Sequence, residues 1–160
     1  MSFLKYVKED RYRIIVTLIT SFTSFLIALL INTAINNWNE SKTHDSMLKA
    51  IRTEAESNRA ILNDSFRAHY KEGVVLNEFN LGVVRLHLGN PLFVKHARPG
   101  ELELLNTYMR NLTLANQYRD QAREIRIKQV GADWLENLVA AWEKNLALCE
   151  EDIGEVINLY

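Results

Sequence analysis

The chain holds one cysteine, Cys149, in 160 residues, so no internal disulfide framework stabilises it. A lone thiol is at ease in a reducing compartment, which leans toward a cytoplasmic setting. Net charge is equally scarce, because 19 lysines and arginines stand against 20 aspartates and glutamates and leave −1. That balance excludes a broadly basic protein coating duplex nucleic acid or anionic lipid, and any anion site must be local. The four histidines, His44, His69, His87 and His96, lie too far apart for a local metal pattern. No glycine-rich loop of the phosphate-cradling kind is present. Cys149 falls within an apolar helical stripe, where a thiol is an inert small hydrophobe. Glu150, Glu151, Asp152 and Glu155 cluster on a terminal helix as a solvated face and do not converge in a cleft. The expectation is a protein that is not an enzyme, with no cofactor and no metal.

What is there, above all, is a run of 22 uncharged residues from Ile14 to Ile35, preceded by Arg13 and followed by Asn36, Asn37, Trp38, Asn39 and Glu40. As a helix the run covers about 33 Å, against about 30 Å for a hydrocarbon core. It reads as a membrane-spanning helix. A cleavable signal peptide has a shorter apolar region, about 7 to 15 residues, and ends at a small-x-small site. The one nearby candidate, Asn32-Thr33-Ala34, has asparagine where a small residue is required. Orientation is weakly marked: Lys5, Lys8, Arg11 and Arg13 precede the run, and Lys42, Lys49 and Arg52 follow it. That difference favours an N-terminus inside, whereas the free cysteine favours a cytoplasmic domain. The cytoplasmic placement is the expectation, with orientation open.

Seven of the 22 residues are polar: Thr17, Thr20, Ser21, Thr23, Ser24, Asn32 and Thr33. Helical spacing gathers Thr17, Ser21, Ser24, Ala28 and Asn32 into one small, polar stripe, with Phe22, Phe25, Leu26, Leu29 and Leu30 largely elsewhere. In lipid such a face lets helices approach closely and exchange hydrogen bonds, so it predicts self-association. The alternative is that each hydroxyl bonds its own backbone.

Beyond the run, Leu48, Ile51, Ala55, Leu62 and Phe66 recur at helical intervals, predicting an amphipathic stalk interrupted by Asn58. Either Asn58 fixes the register of a parallel helix bundle, or this face packs on its own domain. Residues 74–88 fit a helix or a strand-like alternation around Val83, Val84, Leu86 and Leu88, and helix is preferred. Pro91 to Gly100 reads as a loop. Leu102, Leu105, Met109, Leu112 and Ala115 mark a helix running to Lys128 before Gly131 stops it. A final helix carries Leu135, Leu138, Trp142, Leu146, Cys149, Ile153 and Val156 as a core stripe. The fold class is therefore all-α. Residues 1–13 form a tail, 14–35 the span, 36–72 the stalk and 73–160 a helical soluble domain, with 41–160 as one soluble unit.

Arg119, Arg123 and Arg126 share a helix face, with Tyr118 and Lys128 beside them. Guanidinium forks bind phosphate bidentately and an aromatic neighbour stacks on a base, so these residues are the candidate ligand site. Interleaved Asp120 and Glu124 support the competing reading, a solvated salt-bridged surface. Arg85, His87, Lys95, His96 and Arg98 form a second basic group.

The segment Ile35-Asn36-Asn37-Trp38-Asn39-Glu40, placed after a span and before a charged helix, resembles a family of small bacterial single-pass membrane proteins of uncharacterised function. The similarity extends to about Leu62. Trp38 suits headgroup depth, where an aromatic ring and the neighbouring amides meet interfacial water and lipid. The layout is also similar to that of CRISPR-associated membrane effectors that bind a cyclic oligoadenylate in a helical cytosolic domain. That similarity implies a homo-oligomer such as a tetramer, a cyclic oligonucleotide ligand, an inner-membrane location and membrane perturbation in antiviral defence. The rival expectation is a passive anchor docking a larger complex.

Overall fold

The first glycine in the sequence is Gly73 and the first proline Pro91, so nothing in the first 72 residues breaks a helix. In the computed structural model, which describes residues 3–62, 69, 77–128 and 132–159, one unbroken helix accordingly occupies most of the described part of that region. Helix α1 spans Phe3–Ile61. It is followed by α2 (Gly82–Leu88), α3 (Pro91–His96), α4 (Glu101–Lys128) and α5 (Ala132–Ile157), and no strand occurs among the described residues. The chain is all-helical. It divides into two compact units, Met1–Lys42 and Thr43–Tyr160.

In the first unit every side chain from Arg11 to Asn39 is exposed, including Leu18, Phe22, Phe25 and Leu30. This part of α1 is long and apolar enough to cross a membrane. Such a continuous apolar surface is far larger than a soluble chain leaves open to water.

The second unit is built around a core drawn from every helix. Leu48, Ile51 and Ala55 come from α1, Val84 from α2 and Phe93 from α3. Leu105, Tyr108, Leu112 and Ala115 come from α4, and Trp142, Leu146, Cys149, Ile153 and Val156 from α5. The face of α1 after the span therefore packs on its own domain. Asn58 shows why it does so at a polar residue: its side chain donates to the Asn80 carbonyl (2.8 Å) and to the Tyr108 hydroxyl (2.7 Å) and accepts from the Asn80 amide (2.8 Å). With donors and acceptor used inside the chain, Asn58 has nothing left for a bundle seam. The α1 stripe ends with half-buried Leu62, and Phe66 and the rest of the stalk to residue 72 lie outside the described residues, apart from His69.

Residues 77–81 are non-helical and residues 82–88 form α2, so the helical reading holds for the second half of the ambiguous segment. Residues 74–76 lie outside the described residues. The expected loop after Pro91 is instead opened by a short helix. Asn90 caps it by accepting from the Leu92 amide (2.9 Å), with proline in the first turn. Proline is well suited there, because its missing N–H is one that a helix start leaves unbonded anyway. Gly100 turns the chain into α4 with φ of +84°, a left-handed conformation in which glycine carries no side-chain penalty.

Candidate functional sites

The span presents two kinds of polar side chain. Thr20, Thr23 and Thr33 each donate to the carbonyl four residues back, on Val16 (2.8 Å), Ile19 (2.8 Å) and Leu29 (2.9 Å). Among the described residues, no hydrogen bond within the chain engages the side chains of Thr17, Ser21, Ser24 or Asn32. The residues that satisfy themselves lie off the predicted stripe, and those that do not, together with the small Ala28, form it. An unsatisfied hydroxyl or amide in an apolar medium is costly, so these groups call for partners from outside the chain. At the end of the run the Lys42 ammonium sits 3.7 Å from the centroid of the exposed Trp38 ring. A cation over indole joins the aromatic and basic features that anchor a helix at the lipid headgroups.

On α4 the three arginines have unequal environments. Arg119 is half-buried, with its guanidinium on the Asp120 carboxylate (2.7 and 3.0 Å) and 3.4 Å from Glu78. Lys128 pairs with Glu124, and this hydrogen bond holds the Glu124 carboxyl below its ordinary range. Arg123 and Arg126 are exposed on the surface. Tyr118 is half-buried, packs on the core and lines a groove of about 480 Å³ with Leu114, Lys144 and Leu148. Arg119 and Lys128 are paired with carboxylates, and Arg123 and Arg126 are exposed side chains of α4.

Two further concavities flank this helix. A polar groove of about 600 Å³ beside Arg119 is lined by Asn80, Arg85, Asn116, Gln117, Glu78 and Asp120, and its two carboxylates disfavour a polyanion inside it. An apolar groove of about 490 Å³ lies between α4 and α5, walled by Ile125, Trp134, Leu138 and Ala141 with Lys128 at its edge. Trp134, which lines this groove, is 71 % exposed, as is Ile127 of α4. No sequence period singles out Trp134, because it lies off the core stripe of its helix.

Burial raises the Cys149 thiol to about 12, so its nucleophilic thiolate is absent at neutral pH. Burial likewise raises the Asp152 carboxyl, which is buried against Asn111 (2.7 Å) as a structural partner between α4 and α5. Among the described residues no group of three histidine, cysteine or acidic side chains is placed to hold a metal ion. The sequence reading missed a polar framework of asparagines. Besides Asn58, Asn116 clamps the Phe79 backbone by accepting from its amide (2.9 Å) and donating to its carbonyl (3.0 Å). It also missed a buried cluster in which His44 stacks on Phe93 (4.9 Å between centroids) and faces Glu101 (3.4 Å). No local spacing reveals either, because each pairs residues distant in sequence.

These features define an all-helical chain with one apolar helix long enough to cross a membrane and a separately packed domain. Compared with family models, with curated proteins and with solved structures, the chain matches none.

Proposed function

We propose that the chain is a non-catalytic, single-pass protein of the bacterial inner membrane that self-associates through its span and carries a ligand-responsive helical domain on the cytoplasmic side. The observation that carries this reading is the division among the span's polar side chains. Thr17, Ser21, Ser24 and Asn32 share one face with no bond inside the chain, while the threonines off that face bond their own backbone. Contact between copies across that face satisfies the unbonded groups and covers apolar surface, and a closed homo-oligomer such as a tetramer satisfies every copy alike.

The ligand in this proposal is an anionic second messenger of the cyclic oligonucleotide class, and the output is membrane perturbation in antiviral defence. Arg123 and Arg126, both exposed, supply guanidinium donors, with Arg119, Tyr118 and Lys128 beside them. Thermal unfolding of the full chain in detergent, against mononucleotides, cyclic dinucleotides and cyclic oligoadenylates, tests it. The expected result is stabilisation by one cyclic class, about 2.7 kcal/mol at a hundredfold excess over its Kd. Arg123→Ala with Arg126→Ala should abolish that shift and leave the unliganded transition in place. No stabilisation by any of them overturns the messenger assignment.

The second reading is a passive anchor or scaffold subunit that docks a larger protein complex. It is favoured by the exposed Trp134 lining the apolar groove, since exposed aromatic anchors are usual centres of protein interfaces. Under this reading nucleotides leave the transition unmoved, and Trp134→Ala removes the binding partner.

A further inference from the structure

Two histidines distant in sequence, His44 and His87, stack on one phenylalanine in the second unit, with His96 and Glu101 beside His44. Phe93 of α3 is fully buried, stacked with His44 of α1 at 4.9 Å and with His87 of α2 at 6.2 Å between ring centroids. The His96 ring lies 6.3 Å from that of His44. Glu101, at the start of α4, gives one oxygen to the Arg98 amide (2.9 Å) and turns the other toward His44 Nε2 at 3.4 Å. Glu54 of α1 uses both its oxygens on the first turn of α2, accepting from the Val83 amide (2.7 Å) and the Val84 amide (3.1 Å).

The two imidazoles stacked with Phe93 have different surroundings. His44 has carboxylate oxygens near both ring nitrogens, Glu101 at 3.4 Å and Asp45 at 3.9 Å, and its buried Nε2 makes no hydrogen bond to Glu101. Among the described residues no carboxylate makes an ion pair with His87. Its Nδ1 is buried with no hydrogen-bond partner, and a proton on that atom becomes an N–H without an acceptor. The ionisable groups on the surrounding elements are His44 and Glu54 on α1, Arg85 on its own helix, Lys95 and His96 on α3, and Glu101 on α4. Of these Glu54 attracts a positive charge at His87, but its oxygens are already occupied by Val83 and Val84.

We propose that this cluster is a pH-sensitive joint, in which protonation of His87 releases α2 from Phe93 and from its Glu54 cap while the apolar core shared by α1 and α4 stays closed. The helix that lets go is short and receives its N-terminal bonds from outside itself, so its hold on the domain is local and separable from the main core. The device makes the domain responsive to acidification on whichever side of the membrane it occupies.

The sign follows from the imbalance at His87. Burial, opposed more weakly by Glu54, lowers its pKa from the ordinary 6.5. A base with a lowered folded-state value contributes stability in full above 6.5, and that contribution is lost as pH falls toward and through the folded value. Opening of α2 should therefore become easier below about 6.5, by an amount approaching tenfold per pH unit, the limit for one proton.

Hydrogen exchange of the Gly82–Leu88 amides in the full chain in detergent, corrected for the chemical exchange rate at each pH, tests the joint. Protection should fall between pH 7.5 and pH 5.5 in the unaltered protein, with α4 and α5 amides keeping theirs. The variant His87→Gln should hold its protection across the range, and His87→Arg should show the open behaviour already at pH 7.5. Equal protection at both pH values, or a His87→Gln variant that follows the unaltered chain, overturns the proposal. Should either variant fail to fold, the His87 imidazole shifts in the unaltered chain decide the matter by NMR. They should titrate below 6.5, with the loss of α2 protection levelling off near that midpoint, and a midpoint at or above 6.5 refutes the coupling.

Discussion

Asn58→Leu is expected to destabilise the Thr43–Tyr160 unit by about 3 kcal/mol, measured by chemical denaturation of the full chain in detergent. Three hydrogen bonds are lost, each contributing about 1 kcal/mol net. The groups left behind do not suffer equally. Asn80 is exposed, so water can replace Asn58 on its backbone, whereas the Tyr108 hydroxyl belongs to a fully buried side chain. Adding Tyr108→Phe to Asn58→Leu removes the stranded hydroxyl and should recover part of the loss. The two substitutions will therefore be non-additive, and strict additivity would show that the hydroxyl is not held by Asn58. Burial raises the Tyr108 pKa, so this partnership persists throughout the neutral range.

Trp142→Ala is expected to cost about 4 kcal/mol and to broaden or abolish cooperative unfolding of the same unit. Trp142 is the largest of the fully buried side chains, and the core residues around it come from both long helices of the domain. Truncation leaves a void that the remaining side chains fill only in part, which is why large-to-small changes at such sites exceed the transfer energy of the lost atoms. A loss below about 1 kcal/mol in the same denaturation experiment would mean that the domain does not depend on α5 packing.

The two helices that follow simple periods were legible in the residues themselves. The uncharged run from Ile14 to Ile35 needs only length and composition, and the α5 stripe from Leu135 to Val156 repeats at helical intervals and is the buried face in the structure. Asn58 was visible as a break in an apolar stripe, but its meaning depended on Asn80 and Tyr108, 22 and 50 positions away. The helix α3 was hidden because Asn90 and Pro91 read equally as a loop and as the start of a helix. Proline ends a helix that precedes it and begins one that follows, so only the flanking geometry decides.

The candidate ligand site was legible in part. Shared placement of Arg119, Arg123 and Arg126 on one face follows from spacing, and the pairing of Lys128 with Glu124 is the familiar four-residue step. The ion pair between Arg119 and Glu78 crosses 41 positions and so cannot be read from spacing. The histidine cluster around Phe93 was hidden for the same reason, with His44 and His87 supplied by helices other than that of Phe93.

Self-association through the span is the central claim, and the particle mass of the full chain in lipid nanodiscs, compared with that of the Ser24→Leu, Asn32→Leu double variant, tests it most directly. The unaltered chain should form a discrete homo-oligomer. The double variant should shift to monomers or to a distribution that dissociates on dilution, because leucine removes the unbonded polar groups and obstructs close approach. A monomeric unaltered chain, or an oligomer whose mass and dilution behaviour the two substitutions leave unchanged, would contradict assembly through that face.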